Sequence, residues 1–369
     1  MTAAAQIGDG VDAIDTPALV IDLDAMERNL ARMAEFARTH GIRLRPHAKM
    51  HKSAAIARLQ IGAGAVGVCV QKTSEAEALA DGGIADIFIS NEVIAPAKLE
   101  RVAELAKRIR LAIAVDSSLG IERLAAALKL AGSMVEVFVE IDVGQGRCGV
   151  APTAAGALAQ QVVSHGLRFA GVQAYHGRAQ HLRTVAEREA AVRHAVSLAR
   201  SAQAAISGAG IVCPLVTGAG TGSFAIEAAA GVLGELQAGS YLFMDRDYAD
   251  NEPTPHAPAF EQALFVKSQV MSRGHSHAVV DAGHKAHAID SGLPRVWGLD
   301  SEYANGGDEH GILRAHREAL PALGDTVWLV PGHCDPTVNL HDHYVAVRGG
   351  LAHGSVEAVW TIDARGAVR

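Results

Sequence analysis

The sequence predicts an α/β protein with a (β/α)8 barrel of the TIM type, followed by a mostly β domain. Eight short apolar runs, several of them rich in β-branched residues, alternate with helical patterns between residues 24 and 245. Such continuous apolar runs are typical of parallel strands covered on both faces. After residue 250, prolines, histidines and glycines separate shorter strand-like runs, which indicates a second, β-rich domain. Strand counting does not separate the barrel from an open, doubly wound sheet.

The predicted barrel strands are separated by segments with helix-start signals. Asp24 and Ser74 are expected to cap helices, because Glu27 and Glu77 follow each of them at capping-box spacing. Gly41 is expected to end the first of these helices. The eight predicted strands are residues 42–46, 65–70, 86–90, 111–115, 135–141, 168–174, 212–217 and 235–243.

A second set of strand-like runs predicts the β domain. The early run 18–23 is not needed for the barrel, so we expect it to pair with this domain. The predicted domains are therefore 24–245 for the barrel, and 1–23 together with 246–369 for the β domain. The later runs are residues 262–272, 277–283, 326–330, 343–348 and 357–362.

Composition and charge narrow the class of protein. The 369 residues are 49% apolar and 20% charged, which is typical of a soluble globular chain. A net charge of −7 and only 4% aromatic residues argue against a nucleic-acid partner. The four cysteines are widely spaced, and neither a signal peptide nor a bilayer-length apolar run is present. We therefore expect a cytoplasmic protein with no membrane partner.

A glycine-rich run, 218–223, follows the seventh predicted strand. Closely spaced glycines let backbone N–H groups surround a phosphate, although such runs are more often plain turns. In barrels of this type, active residues follow the carboxyl ends of the strands, and phosphate sites often follow strands seven and eight. The position of the run therefore favours a phosphate site, which Gly239, Ser240 and Tyr241 would complete.

Lys49 and Arg147 follow the first and fifth predicted strands. A lone lysine is usually a solvated surface charge. At a strand end facing a phosphate site, however, it is suited to form a Schiff base, which is what pyridoxal phosphate requires. An arginine facing a pyridine nitrogen keeps that nitrogen unprotonated. The alternative for Arg147 is an ion pair with a nearby carboxylate such as Asp142.

The segment PGHCDPTVNLHDHY contains the strongest local signal. If it is strand-like, His333 and Asp335 face the same side. One imidazole and one carboxylate bind a divalent metal with open positions left, and the carboxylate favours ions harder than zinc. His341, Asp342 and His343 are further potential ligands, but a polar loop explains them equally well.

The chain resembles the D-threonine aldolase family, which belongs to the alanine-racemase-like (fold type III) pyridoxal-phosphate enzymes. The resemblance covers nearly the whole chain, from DTPALVIDLD through RPHAKMHKS, FVEIDVGQGRCGV, VTGAGTGS and LQAGSYLFMD to VPGHCDPTVNLHD. Ala219 and His343 stand where relatives often have glycine and tryptophan. Related D-serine dehydratases have a cysteine in place of Asp335, so the aspartate favours the aldolase branch.

The resemblance implies roles for individual residues. Lys49 would be the Schiff-base lysine, and Arg147 would face the pyridine nitrogen. His333 and Asp335 would bind the metal, with manganese favoured over magnesium or another divalent ion. A homodimer is usual in the family. The remaining residues expected to contact pyridoxal phosphate are Tyr175, Gly220, Thr221, Gly222, Gly239, Ser240 and Tyr241.

The expected reaction is cleavage of D-threonine, or of another β-hydroxy-D-amino acid, to glycine and an aldehyde. His181, after the sixth strand, is the predicted base for the β-hydroxyl proton. A water at the metal is the other candidate base, and a surface position explains His181 equally well. The alternative activities are a 3-hydroxy-D-aspartate aldolase and a D-serine or 3-hydroxyaspartate dehydratase. A non-catalytic carrier of pyridoxal phosphate is a more distant alternative.

Overall fold

The computed structural model describes residues 3–315 and 320–369 of the chain. Its strands fall into an eight-stranded parallel sheet and a second sheet of nine strands. The strands are β1 (Ala18–Asp22), β2 (Arg43–Leu44), β3 (Val68–Val70), β4 (Asp86–Glu92), β5 (Arg110–Val115), β6 (Glu136–Glu140), β7 (Arg168–Ala174), β8 (Val216–Gly218), β9 (Glu235–Leu236), β10 (Leu264–Arg273), β11 (Ala278–Val280), β12 (Arg295–Trp297), β13 (Ser301–Asn305), β14 (Gly311–Ala315), β15 (Thr326–Val330), β16 (His343–Arg348) and β17 (Ser355–Thr361).

The parallel sheet closes into a barrel. Its strand order is β2-β9-β8-β7-β6-β5-β4-β3. The two ends of this order meet, because the Cys69 N–H donates to the Pro46 carbonyl at 2.8 Å and His47 forms a parallel bridge with Cys69. The predicted barrel is therefore confirmed, and the open, doubly wound alternative is wrong. All eight predicted strands are present, although β2 and β9 are only two residues long.

Helices cover the outside of the barrel. Their apolar side chains, such as Leu79, Leu99 and Leu124, are fully buried in one core with the outward faces of the strands. The helices are α1 (Leu23–Thr39), α2 (Ala54–Gly62), α3 (Thr73–Asp81), α4 (Pro96–Leu105), α5 (Ser118–Ala131), α6 (Ala155–Ser164), α7 (Val185–Gly208), α8 (Phe224–Ala229), α9 (Arg246–Ala249) and α10 (Cys334–Val338). No described helix is long and apolar enough to cross a membrane.

The predicted cap of α1 is wrong by two residues. The Asp22 carboxylate, not that of Asp24, accepts the Ala25 N–H at 3.1 Å. A capping residue must lie just outside the helix so that its oxygen reaches the first free N–H groups, and Asp24 already lies in the first turn. Asp24 and Glu27 instead accept hydrogen bonds from Arg348 of β16.

The predicted capping box of α3 is also displaced. Ser74 and Glu77 lie within the helix, which begins at Thr73. The carboxylate of Glu75 accepts the N–H groups of Gln71 and Lys72 at 2.9 and 3.1 Å. The prediction is displaced by two residues because TSEAE contains two glutamates, and only the burial of Glu75 distinguishes it from Glu77.

The second sheet contains the early strand and the strands after the barrel. Its central order is β13-β14-β11-β10-β1-β16-β17, and β15 pairs with both β10 and β12. β1 pairs antiparallel with β10 and parallel with β16, so its predicted return to this sheet is confirmed. β12, β13 and β14 were not predicted. β13, for example, has a single buried residue, Tyr303, and therefore lacks an apolar repeat.

Candidate active site

A cavity of about 370 Å³ lies at the carboxyl ends of the barrel strands. Four of the predicted site residues, Lys49, Arg147, Tyr175 and His181, line it together. They arrive on the segments that follow β2, β6 and β7, as expected for a barrel of this type. The other lining residues are predominantly polar: His47, Gln71, Ser90, Gln145, Gln173, Gly177, Arg178 and Gln237.

Lys49 contacts the segment predicted to bind a metal. Its Nζ lies 2.6 Å from Oδ2 of Asp335, although the two residues are 286 positions apart. Partial burial lowers the pKa of Lys49, but the Asp335 carboxylate outweighs this effect and raises that pKa. Burial raises the pKa of Asp335, but Lys49 and His333 hold it well below its usual range. The predicted cofactor lysine and the predicted metal motif therefore form one site.

The local structure of the metal motif differs from the prediction. His333 precedes α10 as its N-cap residue, and Asp335 lies in the first turn, so the segment is not a strand. The two side chains nevertheless converge, with 3.8 Å between His333 Nε2 and Asp335 Oδ1. Cys334 between them is fully buried, and its N–H donates to Asp245 at 2.9 Å.

The donor set of His333 and Asp335 fits a divalent cation. Asp290 accepts a hydrogen bond from His333 Nδ1 at 2.7 Å, which leaves Nε2 directed towards Asp335. A carboxylate behind the imidazole is typical of histidines that bind metals. The described residues contain no cluster of three or more His, Cys, Asp or Glu side chains suited to a metal. Water or substrate would therefore complete the coordination.

The later polar residues of the motif do not join this pair. His341 Nε2 lies 2.7 Å from the Ala286 carbonyl, and Asp342 accepts a hydrogen bond from Arg365 at 2.6 Å. His343 begins β16 and pairs with Thr361 of β17. The side chains of His341 and Asp342 therefore have structural partners, in agreement with the polar-loop alternative.

Arg147 lies beside a buried carboxyl group other than the one suggested by the sequence. Its guanidinium is 3.6 Å from Glu140, whereas Asp142 accepts the N–H groups of Gly144 and Gly146 within the same loop. Burial, reinforced by the neighbouring carboxylate of Glu92, raises the pKa of Glu140 to about 9. The raised pKa favours the neutral form of Glu140 beside the Arg147 guanidinium.

The two predicted phosphate loops lie against each other. The Thr221 hydroxyl accepts the Tyr241 N–H at 2.9 Å. Among the described residues, no acceptor is present for the N–H groups of Gly220, Thr221, Gly239 and Ser240. Four free N–H donors on two adjacent loops fit a phosphate group. The Tyr241 side chain points elsewhere: it is fully buried, with its hydroxyl 3.4 Å from Gln60.

These loops border the Lys49 cavity and do not line it directly. A Cβ on Gly239 would lie 2.7 Å from the carbonyl oxygen of His47, whose side chain lines the cavity. A Cβ on Gly222 would lie 2.4 Å from the Gln180 carbonyl oxygen, so glycine is required for this close packing. Ala219 adopts a φ of +66°, a conformation that favours glycine.

His181 has a partner that the sequence did not reveal. Its Nδ1 lies 2.5 Å from Oδ2 of Asp247, and Arg183 donates to Oδ1 of the same carboxylate at 2.5 Å. Asp247 is almost completely buried. The sequence also did not predict two further acidic residues next to the metal motif, Asp245, which contacts Cys334, and Asp290, which contacts His333. The one available signal was the polar segment MDRD directly after the last barrel strand.

The sequence matches two family models, "Alanine racemase, N-terminal domain" over residues 21–247 and "Putative serine dehydratase domain" over residues 263–347. A D-threonine aldolase from Arthrobacter sp. is 46% identical over 98% of this chain and 96% of its own. This chain belongs to the D-threonine aldolase family. The family predicted from the sequence is thereby confirmed, and the chain is an enzyme of a carbon–carbon lyase family with a pyridoxal-phosphate fold.

Other members of the D-threonine aldolase family are equally similar along their whole length. A 3-hydroxy-D-aspartate aldolase from Paracoccus denitrificans (strain Pd 1222) is 44% identical over 96% of this chain and 92% of its own. The crystal structure of D-threonine aldolase from Filomicrobium marinum superposes with a TM-score of 0.97 at 48% identity, covering 100% of both chains. The barrel and the β domain are therefore shared with these relatives.

Proposed function

We propose that this enzyme cleaves D-threonine and other β-hydroxy-D-amino acids to glycine and an aldehyde, using pyridoxal phosphate and a divalent cation. The observation that carries the proposal is the 2.6 Å contact between Lys49 and Asp335. In an aldolase of this kind, the lysine that binds the cofactor and the side chains that bind the metal must lie next to the same substrate molecule. The relatives named D-threonine aldolase and 3-hydroxy-D-aspartate aldolase support the same reaction class.

Lys49, Arg147 and the two phosphate loops would hold the cofactor. Lys49 supplies the amine for covalent attachment, and the free N–H groups of the loops meet the phosphate. The guanidinium of Arg147 would disfavour a second positive charge on the pyridine nitrogen. When bound, pyridoxal phosphate supplies a sink for the electron pair released from the Cα–Cβ bond.

His333 and Asp335 would hold the cation, which supplies a Lewis acid beside the β-hydroxyl group. Manganese is the ion we favour, with magnesium or another divalent ion as alternatives, because a carboxylate ligand suits harder cations. His333 is held by Asp290 and Asp335 by Lys49. The cation would take the place of the Lys49 ammonium group beside Asp335.

His181 would accept the proton of the β-hydroxyl group. It lines the same cavity as Lys49, and Asp247 occupies its Nδ1. Its Nε2 is then the atom that receives the proton. Removal of this proton allows the β-carbon to become an aldehyde carbonyl while the Cα–Cβ bond breaks. The α-carbon gains a proton instead, and glycine is released.

A second candidate is cleavage of 3-hydroxy-D-aspartate, which differs only in the side chain. Arg178 lines the cavity beside His181, and its guanidinium is suited to a second carboxylate. The 44% identical relative with that name is consistent with this substrate. A dehydratase would use the same fold and expel the hydroxyl group, giving a keto acid and ammonia.

Product analysis tests the proposal. The purified protein, with pyridoxal phosphate and manganese, is incubated separately with D-threonine, with 3-hydroxy-D-aspartate and with their L enantiomers. We expect glycine and acetaldehyde from D-threonine and no products from L-threonine. Glycine from 3-hydroxy-D-aspartate only would favour the second candidate. Ammonia and 2-oxobutyrate from D-threonine would overturn the aldolase and favour a dehydratase, and absence of product from every β-hydroxy-D-amino acid would favour a carrier.

A further inference from the structure

The segment Asp245–Asp247 connects the predicted base with the predicted metal motif. Asp245 accepts the Cys334 N–H between the two metal ligands at 2.9 Å. The Arg246 and Asp247 N–H groups donate to the carbonyls of Pro331 and Gly332 at 3.0 and 3.2 Å. The short helix α9 is therefore fixed to the backbone that leads into His333. Any group held by α9 has a defined position relative to the metal motif.

Asp247 is the side chain of α9 that points towards the cavity residue His181. Its two carboxylate oxygens have different partners: Oδ2 lies 2.5 Å from His181 Nδ1, and Oδ1 accepts from Arg183 Nη2 at 2.5 Å. Arg183 also donates to the backbone carbonyl of Asp247 at 2.5 Å. One guanidinium contact therefore holds the carboxylate in its orientation towards His181, and the other holds the backbone of Asp247.

The carboxylate of Asp247 is ionised over the neutral pH range. Burial raises its pKa, but the hydrogen bonds from His181 and Arg183 outweigh burial and hold the pKa below its usual value. An ionised carboxylate only accepts hydrogen bonds, so His181 must carry its proton on Nδ1. In a neutral imidazole, Nε2 then has a free lone pair and can act as the base.

The ring of His181 is restrained on one face as well. The Tyr248 ring lies with its centroid 5.7 Å from that of His181, at an interplanar angle of 37°. Tyr248 is itself held by Asp245, which accepts its N–H at 3.0 Å. The imidazole is therefore positioned by one hydrogen bond and one aromatic neighbour, both from α9.

We propose that Asp247 is a positioning residue that fixes the tautomer and orientation of His181 so that Nε2 accepts the β-hydroxyl proton. This inference rests on the proposed function in one respect, the role of His181 as the base. Asp247 does not touch the substrate and acts only through His181. A purely structural Asp247 would instead serve to bind Arg183 and to close the loop after β7.

A double-mutant cycle separates these roles. Asp247→Asn keeps the size of the side chain but removes the charge, and we expect kcat to fall about 10- to 100-fold with KM little changed. Because Asp247 acts through His181, the double variant His181→Ala/Asp247→Asn is expected to be no slower than His181→Ala alone. Asp250→Asn is the matched control: Asp250 follows the same short helix and pairs with Arg295, so its loss is expected to leave kcat within about twofold.

A second measurement does not depend on turnover. The second measurement is an NMR spectrum of cofactor-free protein labelled with 15N-histidine. The resonances of His181 are assigned as those that are present in the wild type and missing from the His181→Ala variant. We expect the Nδ1–H tautomer in the wild type and a mixture of tautomers in Asp247→Asn. Melting temperatures of the variants show whether the fold is retained. An unaltered His181 tautomer in a folded Asp247→Asn variant would overturn the inference.

The remaining outcomes distinguish this inference from the proposed function. Additive losses in the cycle would assign Asp247 a structural role and overturn the inference. Wild-type turnover in His181→Ala, with glycine and aldehyde still formed, would overturn it while leaving the aldolase intact. If the wild type forms no aldehyde from any substrate, the proposed function fails, and the NMR tautomer alone decides whether Asp247 positions His181.

Discussion

At the residue scale, Lys49 and Asp335 depend on each other. Lys49 Nζ donates to Asp335, and each group shifts the pKa of the other towards its charged form. Covalent attachment of a cofactor requires the neutral amine of Lys49. Binding of the cofactor and the cation would therefore break the ion pair between Lys49 and Asp335. Lys49 would bind the cofactor instead, and Asp335 would bind the cation. This exchange explains how the expected cofactor lysine and the expected metal ligand can be in direct contact.

Lys49→Ala tests the attachment of the cofactor. We expect the variant to lose the visible absorbance of protein-bound pyridoxal phosphate, because no other described lysine lines the cavity. Absorbance spectra of protein dialysed against pyridoxal phosphate provide the measurement. Lys52→Ala is unsuitable as a control because Lys52 forms a buried ion pair with Glu75, so the exposed Lys107 is the better choice. Retention of the band in Lys49→Ala would contradict the assignment.

Asp335→Ala tests the cation site. The variant is expected to retain the cofactor band but to lose bound manganese, because His333 alone is a weak ligand. Metal content after gel filtration and the cofactor spectrum are measured together. Asp342→Asn is the control, since Asp342 lies nearby in sequence but is paired with Arg365. Equal manganese content in Asp335→Ala and wild type would refute the assignment of Asp335.

At the scale of secondary-structure elements, the phosphate loop depends on the start of α8. Ser223 precedes this helix, and its hydroxyl donates to the buried carboxylate of Glu227. The Gln180 side chain donates to the same serine at 2.7 Å and accepts the Gly222 N–H at 2.9 Å. A polar network beneath the loop, with Gln180 at its centre, thus fixes the backbone that would surround the phosphate.

Glu227 should make the cofactor-free protein less stable at higher pH. Burial raises its pKa from 4.5 to about 7, against the opposing effect of the Ser223 hydrogen bond. The folded state therefore binds the proton more tightly than the unfolded state, and stability is lost as pH rises from 4.5 to 7. Glu227→Gln should abolish this loss, which is about 3 kcal/mol in the free energy of unfolding.

Urea unfolding of both proteins at a series of pH values checks this prediction. The difference in the free energy of unfolding between Glu227→Gln and wild type should grow in favour of the variant up to pH 7 and then remain constant. A difference that is independent of pH would show that the pKa of Glu227 is the same in the folded and unfolded states, which would contradict the prediction.

At the scale of the whole molecule, the site exists only where the two sheets meet. β1 joins the β domain to the start of α1 and pairs with β10. β10 also pairs with β15, which leads into the segment 331–335, and Asp335 of that segment contacts Lys49 of the barrel. Lys267 of β10 is buried and donates to the carbonyls of Val11 and Ile14 at 2.9 and 2.7 Å. These contacts hold the amino-terminal segment against β10, an interior strand of the β domain.

A homodimer remains a prediction of the family resemblance. Three large apolar side chains of the β domain, Ile289, Trp297 and Leu299, are 45%, 47% and 38% exposed, and they are our candidates for an interface between subunits. We expect light scattering to give twice the chain mass of 38.4 kDa. Trp297→Ser should shift the protein towards the monomer if this surface forms the interface. A monomer at micromolar concentration in the wild type would contradict the prediction.

The architecture follows from patterns that are local in the sequence. Apolar runs and helical spacing are local properties, so the eight barrel strands, the β domain and the return of β1 were predictable. Motifs likewise predict Lys49, Arg147, His333 and Asp335 as site residues, because each lies in a distinctive short segment. The weakly patterned strands β12 to β14 and the exact helix caps were missed, since their burial depends on neighbours distant in sequence.

Only the tertiary structure decided which of these residues meet. Lys49 and Asp335 are 286 positions apart, and His181 and Asp247 are 66 apart. No local pattern encodes such pairs, because they arise from the packing of the β domain on the barrel. The same packing made Glu140, and not Asp142, the partner of Arg147: Glu140 points inward from β6, whereas Asp142 is used by the N–H groups of its own loop. Local periodicity therefore fixes the elements, and long-range burial fixes the chemistry of the site.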